Sequence, residues 1–159
     1  MSFSTTLPYW FTQKGLSDAY IALSLSTYSF SATLGTFLGG TLSDRLGRKA
    51  VLAGTLAFGL PLYLCLLFLP PGGVSYLVLL ALTGALMNAG IPVAVALAQE
   101  LEPGQTATVS GLLMGFTWGF AGLFYAPIGR LIEAFGVMPV LLALGALILP
   151  AWALAQGVR

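Results

Sequence analysis

Histidine is absent from the chain, and charge is scarce. Without histidine there is no imidazole for acid–base catalysis and none for a metal site. The lone Cys65 lies inside an apolar run, so no intrachain disulfide can form, and a single thiol in such a setting behaves as a small hydrophobe. Charged residues make up 7% of the 159 positions, against about 25% in a soluble domain. Six basic and five acidic side chains cannot cover a soluble surface of this size, so lipid must replace water over much of it. A net charge of +1 supplies no basic patch for a phosphate backbone, which excludes nucleic acid as a partner. No metal and no cofactor is expected.

What the chain does have is long uncharged stretches, over 19–43, 50–99, 103–129 and 134–158. A spanning helix needs roughly 20 mostly apolar residues to cross a hydrocarbon core of ~30 Å. Each stretch is long enough for one span, and the second for two. The expected fold is therefore all-α, a single polytopic membrane bundle over residues 1–159. Five full spans are expected at about 19–42, 50–69, 74–98, 107–128 and 137–156. Between them lie a charged loop at Ser43–Lys49, the breaker Pro70-Pro71-Gly72-Gly73, a polar loop at Gln99–Thr106 and a short connection at Arg130–Gly136. Membrane strands would alternate apolar and polar residues over ~10-residue segments, and these runs are continuous.

The opening segment lacks the positive start and the small-residue cleavage site of a signal peptide. The ~11 residues before Gln13-Lys14 would rise only ~16 Å as a helix. With Tyr9 and Trp10 close to Lys14, it reads as a partial helix over 2–12, the interfacial end of a helix whose beginning is missing. Basic residues set the orientation. Arg45, Arg48, Lys49 and Arg159 fall on one side and only Lys14 and Arg130 on the other. The positive-inside rule then places the Ser43–Lys49 loop and the C-terminus in the cytoplasm, for a multi-pass protein of the cell's inner (plasma) membrane.

The most informative segment is Gly39-Gly40-Thr41-Leu42-Ser43-Asp44-Arg45-Leu46-Gly47-Arg48-Lys49. Small Gly39 and Gly40 allow two helices to approach closely. Gly47 permits a turn with positive φ. Asp44 can face a helix N-terminus, and Arg45, Arg48 and Lys49 can pair with acids and hold the loop at the headgroups. An ordinary positive-inside loop is the plainer reading. The ordered spacing, however, resembles the Gly-x-x-x-Asp-Arg-x-Gly-Arg-Arg/Lys loop of the major facilitator superfamily. That resemblance implies a gating-loop role for Gly40, Asp44, Arg45, Gly47, Arg48 and Lys49.

A second stretch, Ala98-Gln99-Glu100-Leu101-Glu102-Pro103-Gly104 followed by Ser110-Gly111-Leu112, resembles the fosmidomycin-resistance branch of the same superfamily. Those proteins are proton-coupled drug exporters, so the likeness implies efflux of a small molecule, with the proton as coupling ion. Glu100 is then a candidate acid at the cytoplasmic mouth, against the plainer reading of a solvated charge at a helix end. In the fourth span Gly111, Gly115, Gly119 and Gly122 fall on one helical face, as helix-packing glycines, and Gly35 and Gly39 form a similar patch. This resembles the glycine-rich helix of antiporters, and plain packing explains it equally well. Pro127 through Gly136 echoes Gly-x-Leu-x-Asp-x-x-Gly, with Glu133 at the acidic position and Arg130 three residues away, a spacing that allows them to pair. Asn88, followed by Gly90 and Pro92, is the best candidate for lining a cavity or for coupling, ahead of Thr83, Thr117, Trp118 and Tyr125.

Matched to the superfamily, the partial helix corresponds to the end of the seventh helix and the five spans to helices eight to twelve. This implies the C-terminal half of a transporter that works by ion-coupled alternating access, its partners being the bilayer, a small-molecule substrate and either the missing N-terminal half or a second copy of the chain. Two other readings stand beside it. A truncated or accessory membrane protein would have the same spans and no transport of its own. An intramembrane enzyme would need catalytic groups, and no histidine, Gly-x-Ser-x-Gly or paired intramembrane acids are present.

Overall fold

The computed structural model describes residues 2–157, and every element is helical. The helices are α1 (Ser2–Gln13), α2 (Asp18–Leu46), α3 (Arg48–Phe68), α4 (Val74–Leu101), α5 (Thr106–Phe135), α6 (Val137–Ala146) and α7 (Ile148–Gly157), with a 3-10 turn at Pro103–Gln105. Among the described residues, five helical segments are long and apolar enough to cross a membrane, α6 and α7 together forming the last. Helix suits the lipid setting because it satisfies backbone hydrogen bonds within each segment. The start of α2 follows from its capping chemistry. The Ser17 hydroxyl accepts from the Tyr20 N–H at 3.4 Å, and Asp18 lies in the first turn.

The helices extend further than the apolar runs. The segment expected as a loop over Ser43–Lys49 is helical on both sides of Gly47, and that over Arg130–Gly136 is helical to Phe135. Gly47 and Gly136 take φ of +90° and +85°, so each reverses the chain in a single residue. Charged residues can join a helix where it leaves the bilayer, which is why composition alone placed the boundaries too early. The final span shows the opposite effect. It breaks at Leu147, whose N–H turns to the Leu144 carbonyl at 3.2 Å. Pro150, three residues later, has no N–H for the Ala146 carbonyl.

The closest packing joins α2 and α4. The buried positions Ser31, Gly35 and Gly39 of α2 face Gly84, Ala85 and Ala89 of α4. A Cβ at Gly35 would fall on the Ala85 carbonyl, and one at Gly39 on that of Ala89. The Gly35–Gly39 patch is thus consumed inside the chain rather than left facing lipid. Lipid tails are as apolar as leucine, so such helices associate through close contact of small residues. The polar residues in these spans keep their hydroxyls on local carbonyls, as with Ser24 on Tyr20 at 2.8 Å and Thr83 on Leu79 at 2.8 Å.

The main buried cluster lies toward the end of the bundle that carries the 70–73 turn. It gathers Leu7, Trp10 and Phe11 of α1, Ile21 of α2, Tyr63, Leu66 and Leu67 of α3, Tyr76 and Leu80 of α4, and Val137 and Leu141 of α6. At that end Tyr20 pins the turn, accepting from the Gly72 N–H at 3.0 Å and donating to the Gly73 carbonyl at 3.2 Å. Helix α5 meets the cluster through the partly buried Ile132, and Ile128 is its one buried residue.

Candidate functional site

The motif from Gly39 to Lys49 lies at the opposite end, where α2 passes into α3. Gly39 is pressed against α4, while a Cβ at Gly40 would meet nothing among the described residues. The Ser43 hydroxyl donates to the Gly40 carbonyl at 2.8 Å, and the Gly47 N–H closes α2 on the Ser43 carbonyl at 3.0 Å. Gly47 also starts α3, accepting from the Val51 N–H at 3.3 Å. Arg48 is therefore placed on the first turn of α3 with its side chain free to turn back over α2.

Its guanidinium joins three groups. Nη1 donates to Asp44 Oδ1 and to Ser43 Oγ, each at 2.6 Å, and Nε donates to Glu100 Oε1 at 3.0 Å. Asp44 thus engages a side chain, where the sequence pointed to a helix N-terminus. Among the described residues the ion pairs are these two, Arg48–Asp44 and Arg48–Glu100, while Arg130 and Glu133 form none. Lys49 Nζ donates to the Gln156 carbonyl at 2.8 Å, fastening the end of α7 to the same face. Arg45 is exposed, and Arg159 lies outside the described residues. Alongside, Gln99 Nε2 donates to Ser110 Oγ at 2.6 Å, and Ser110 to the Thr106 carbonyl at 2.8 Å, which ties α4 to α5.

One face of the bundle thus holds an ion-paired clamp across α2, α3 and α4, with α7 attached. Such a clamp can hold helix ends together reversibly, because exposed ion pairs are individually weak. The roles of Ser43 and Gln156 were missed from sequence. Ser43 sits five residues before Arg48, a spacing that only the turn at Gly47 makes useful, and Gln156 contributes a backbone carbonyl, which carries no side-chain signal.

The other singled-out residues lie elsewhere. Asn88, half-buried within α4, donates to the Gly84 carbonyl at 2.8 Å and faces Tyr28 Oη of α2 at 3.4 Å. Tyr28 was missed from sequence, since a tyrosine among the serines and threonines of 24–31 carries no signal of a partner 60 positions away. Gly111, Gly115, Gly119 and Gly122 have open space where a Cβ would stand, so no part of the described chain packs on them.

The profile of the Major Facilitator Superfamily matches residues 1–158. The chain belongs to this superfamily. Among similar proteins, the uncharacterized MFS-type transporter YfnC of Bacillus subtilis (strain 168) is 40% identical over 111 residues, covering 70% of this chain and 27% of that protein. The fosmidomycin resistance protein of Escherichia coli (strain K12) is 33% identical over 134 residues, covering 83% of this chain and 32% of that protein. No solved structure matches. The chain spans about a third or less of the length of the curated relatives it matches. Superfamily membership and five membrane-length helices make it a multi-pass membrane protein of a transporter family, not of an enzyme family.

Proposed function

We propose that the chain is the C-terminal half of a major facilitator carrier that exports a small molecule or drug by proton-coupled alternating access. The observation that supports this most is the clamp of Arg48 on Asp44 and Glu100, built from a loop motif of that superfamily. In this reading Gly40, Asp44, Arg45, Gly47, Arg48 and Lys49 form a gate that closes the cytoplasmic face and releases it in each cycle. Asn88 and Glu100 lie along the pathway or its mouth. The uncovered glycines of α5 meet the N-terminal half, or a second copy of the chain, because lipid gains nothing from a groove without side chains. The likeness to a fosmidomycin resistance protein supports efflux, and the basic residues Arg45, Arg48 and Lys49 support a cytoplasmic gate and C-terminus in the inner membrane.

The test is fosmidomycin flux driven by an imposed pH gradient. Vesicles hold either the chain alone or a chimera in which it replaces the matching segment of the E. coli relative. Gradient-dependent flux through the chimera and none through the chain alone is the expected result, since the central pathway of this architecture lies between two halves. Flux through the chain alone would point to a self-sufficient homodimer. An inactive chimera that inserts normally would favour an accessory protein without transport.

A further inference from the structure

A cleft of about 280 Å³ opens between α1 and α5, toward the end of the bundle that carries Lys14 and Gly136. It is lined by Thr5, Thr6 and Tyr9 of α1 and by Tyr125, Gly129 and Glu133 of α5. Positions 125, 129 and 133 are spaced by four and so share one face of α5. The cleft therefore carries one carboxylate, two phenol rings and two hydroxyls, and no basic side chain lines it. Arg130 lines a separate hollow with Pro127 and Ala134, and it does not pair with Glu133. Glu133 is exposed at the cleft and carries no ion pair among the described residues, so its carboxylate is open to a cation that enters.

We propose that this cleft binds a small organic amine through its ammonium group. An ammonium beside Glu133 gains a charge-assisted hydrogen bond. Tyr9 and Tyr125 line the same cleft, and an aromatic ring beside a cation adds attraction for it. An anion would be repelled, and a neutral ligand would leave the carboxylate unused. The volume lies just below the range of drug-sized ligand pockets, about 300 to 1,000 Å³, so the occupant is small, of the size of phenethylamine. The role of such a site in transport rests on the carrier reading above, as a subsite on its outer face. The binding itself does not.

The experiment uses the purified chain in phosphatidylglycerol nanodiscs with radiolabelled phenethylamine at neutral pH. Saturable binding above empty discs is expected. Glu133→Gln should weaken it by about tenfold or more, the scale of a charged hydrogen bond. Gly129→Leu should block it with all charges in place. A Cβ at Gly129 meets nothing within 4 Å, and leucine is the better helix former, so the thermal melt should hold or rise. Phenethyl alcohol and 3-phenylpropionate should compete poorly. Phosphatidylethanolamine added to the discs distinguishes the source of the ammonium: competition assigns the site to a lipid headgroup, and its absence to a free amine. Absence of saturable binding, equal binding by Glu133→Gln, or equal competition by the alcohol would overturn the proposal. No arm reads flux, so failure here leaves the carrier reading standing, and an inactive chimera leaves this one standing.

Discussion

Arg48 of α3 and Glu100 of α4, 52 positions apart in sequence, meet at 3.0 Å through Nε and Oε1. The same guanidinium holds Asp44 at the end of α2 at 2.6 Å. A planar fork with five N–H donors can serve two carboxylates at once, which the single ammonium of lysine does less well. The side chains of Asp44 and Glu100 are 66% and 53% exposed, so water can replace either bond when the helix ends part. The gate proposed above needs that property, and a buried ion pair would lack it.

In the chimeric carrier, Asp44→Asn and Glu100→Gln should each lower the initial rate of flux more than Glu102→Gln at equal expression. Both of the first two touch Arg48, and Glu102 is exposed with no ion pair. Arg48→Lys should resemble the damaging pair rather than the wild type, because the fork is lost while the charge is kept. Equal rates for all four variants would remove the gating role.

The two sets of glycines should respond in opposite ways to alanine. Gly35→Ala and Gly39→Ala force a Cβ into the α4 backbone, and overpacking of this kind costs about 1–3 kcal/mol. Gly115→Ala and Gly119→Ala meet open space and recover helix propensity worth about 0.5–1 kcal/mol. Thermal melts of the detergent-solubilised chain, read by circular dichroism, should fall for the first two and hold or rise for the second two. A fall for all four would mean that α5 is covered.

Orientation is open to thiol labelling once Cys65 is replaced by alanine. Ser43 is only 2% exposed, so a cysteine there would stay silent whichever side it occupied. Arg45→Cys and Gly73→Cys are both exposed and lie at opposite ends of the bundle. A membrane-impermeant maleimide should label Gly73→Cys in intact cells and Arg45→Cys only in inverted vesicles. The reverse pattern would turn the topology over.

Tyr63 spans from α3 to α6, its hydroxyl donating to the Leu141 carbonyl at 2.9 Å and its ring lying over Gly145. Tyr63→Phe should cost about 0.5–1.5 kcal/mol in a melt, the net worth of one hydrogen bond. Gly145→Ala should also destabilise, because its Cβ would stand 2.7 Å from the ring. In a Tyr63→Ala background the same change should cost little. Strict additivity in this double-mutant cycle would show that the ring and the glycine are not in contact.

The sequence by itself determined what depends on a few neighbouring residues. Uncharged runs of spanning length set the membrane class and the helical fold. Gly47 at the end of a basic motif set the reversal between α2 and α3, and the motif's spacing marked the family. What only the tertiary structure decided concerns partners. Gly35–Gly39 and Gly111–Gly122 carry the same small-residue spacing, yet α4 covers the first and nothing in the described chain covers the second. Arg48 pairs across 52 positions while Arg130 ignores Glu133 three residues away. Pro150 accompanies a break in its span, whereas Pro61 and Pro92 sit inside unbroken helices. Turn signals act within about one helical turn and span signals within one unbroken run of the chain, so both can be read from the sequence. Packing and pairing depend on which face another helix presents, and that is fixed only when the helices meet.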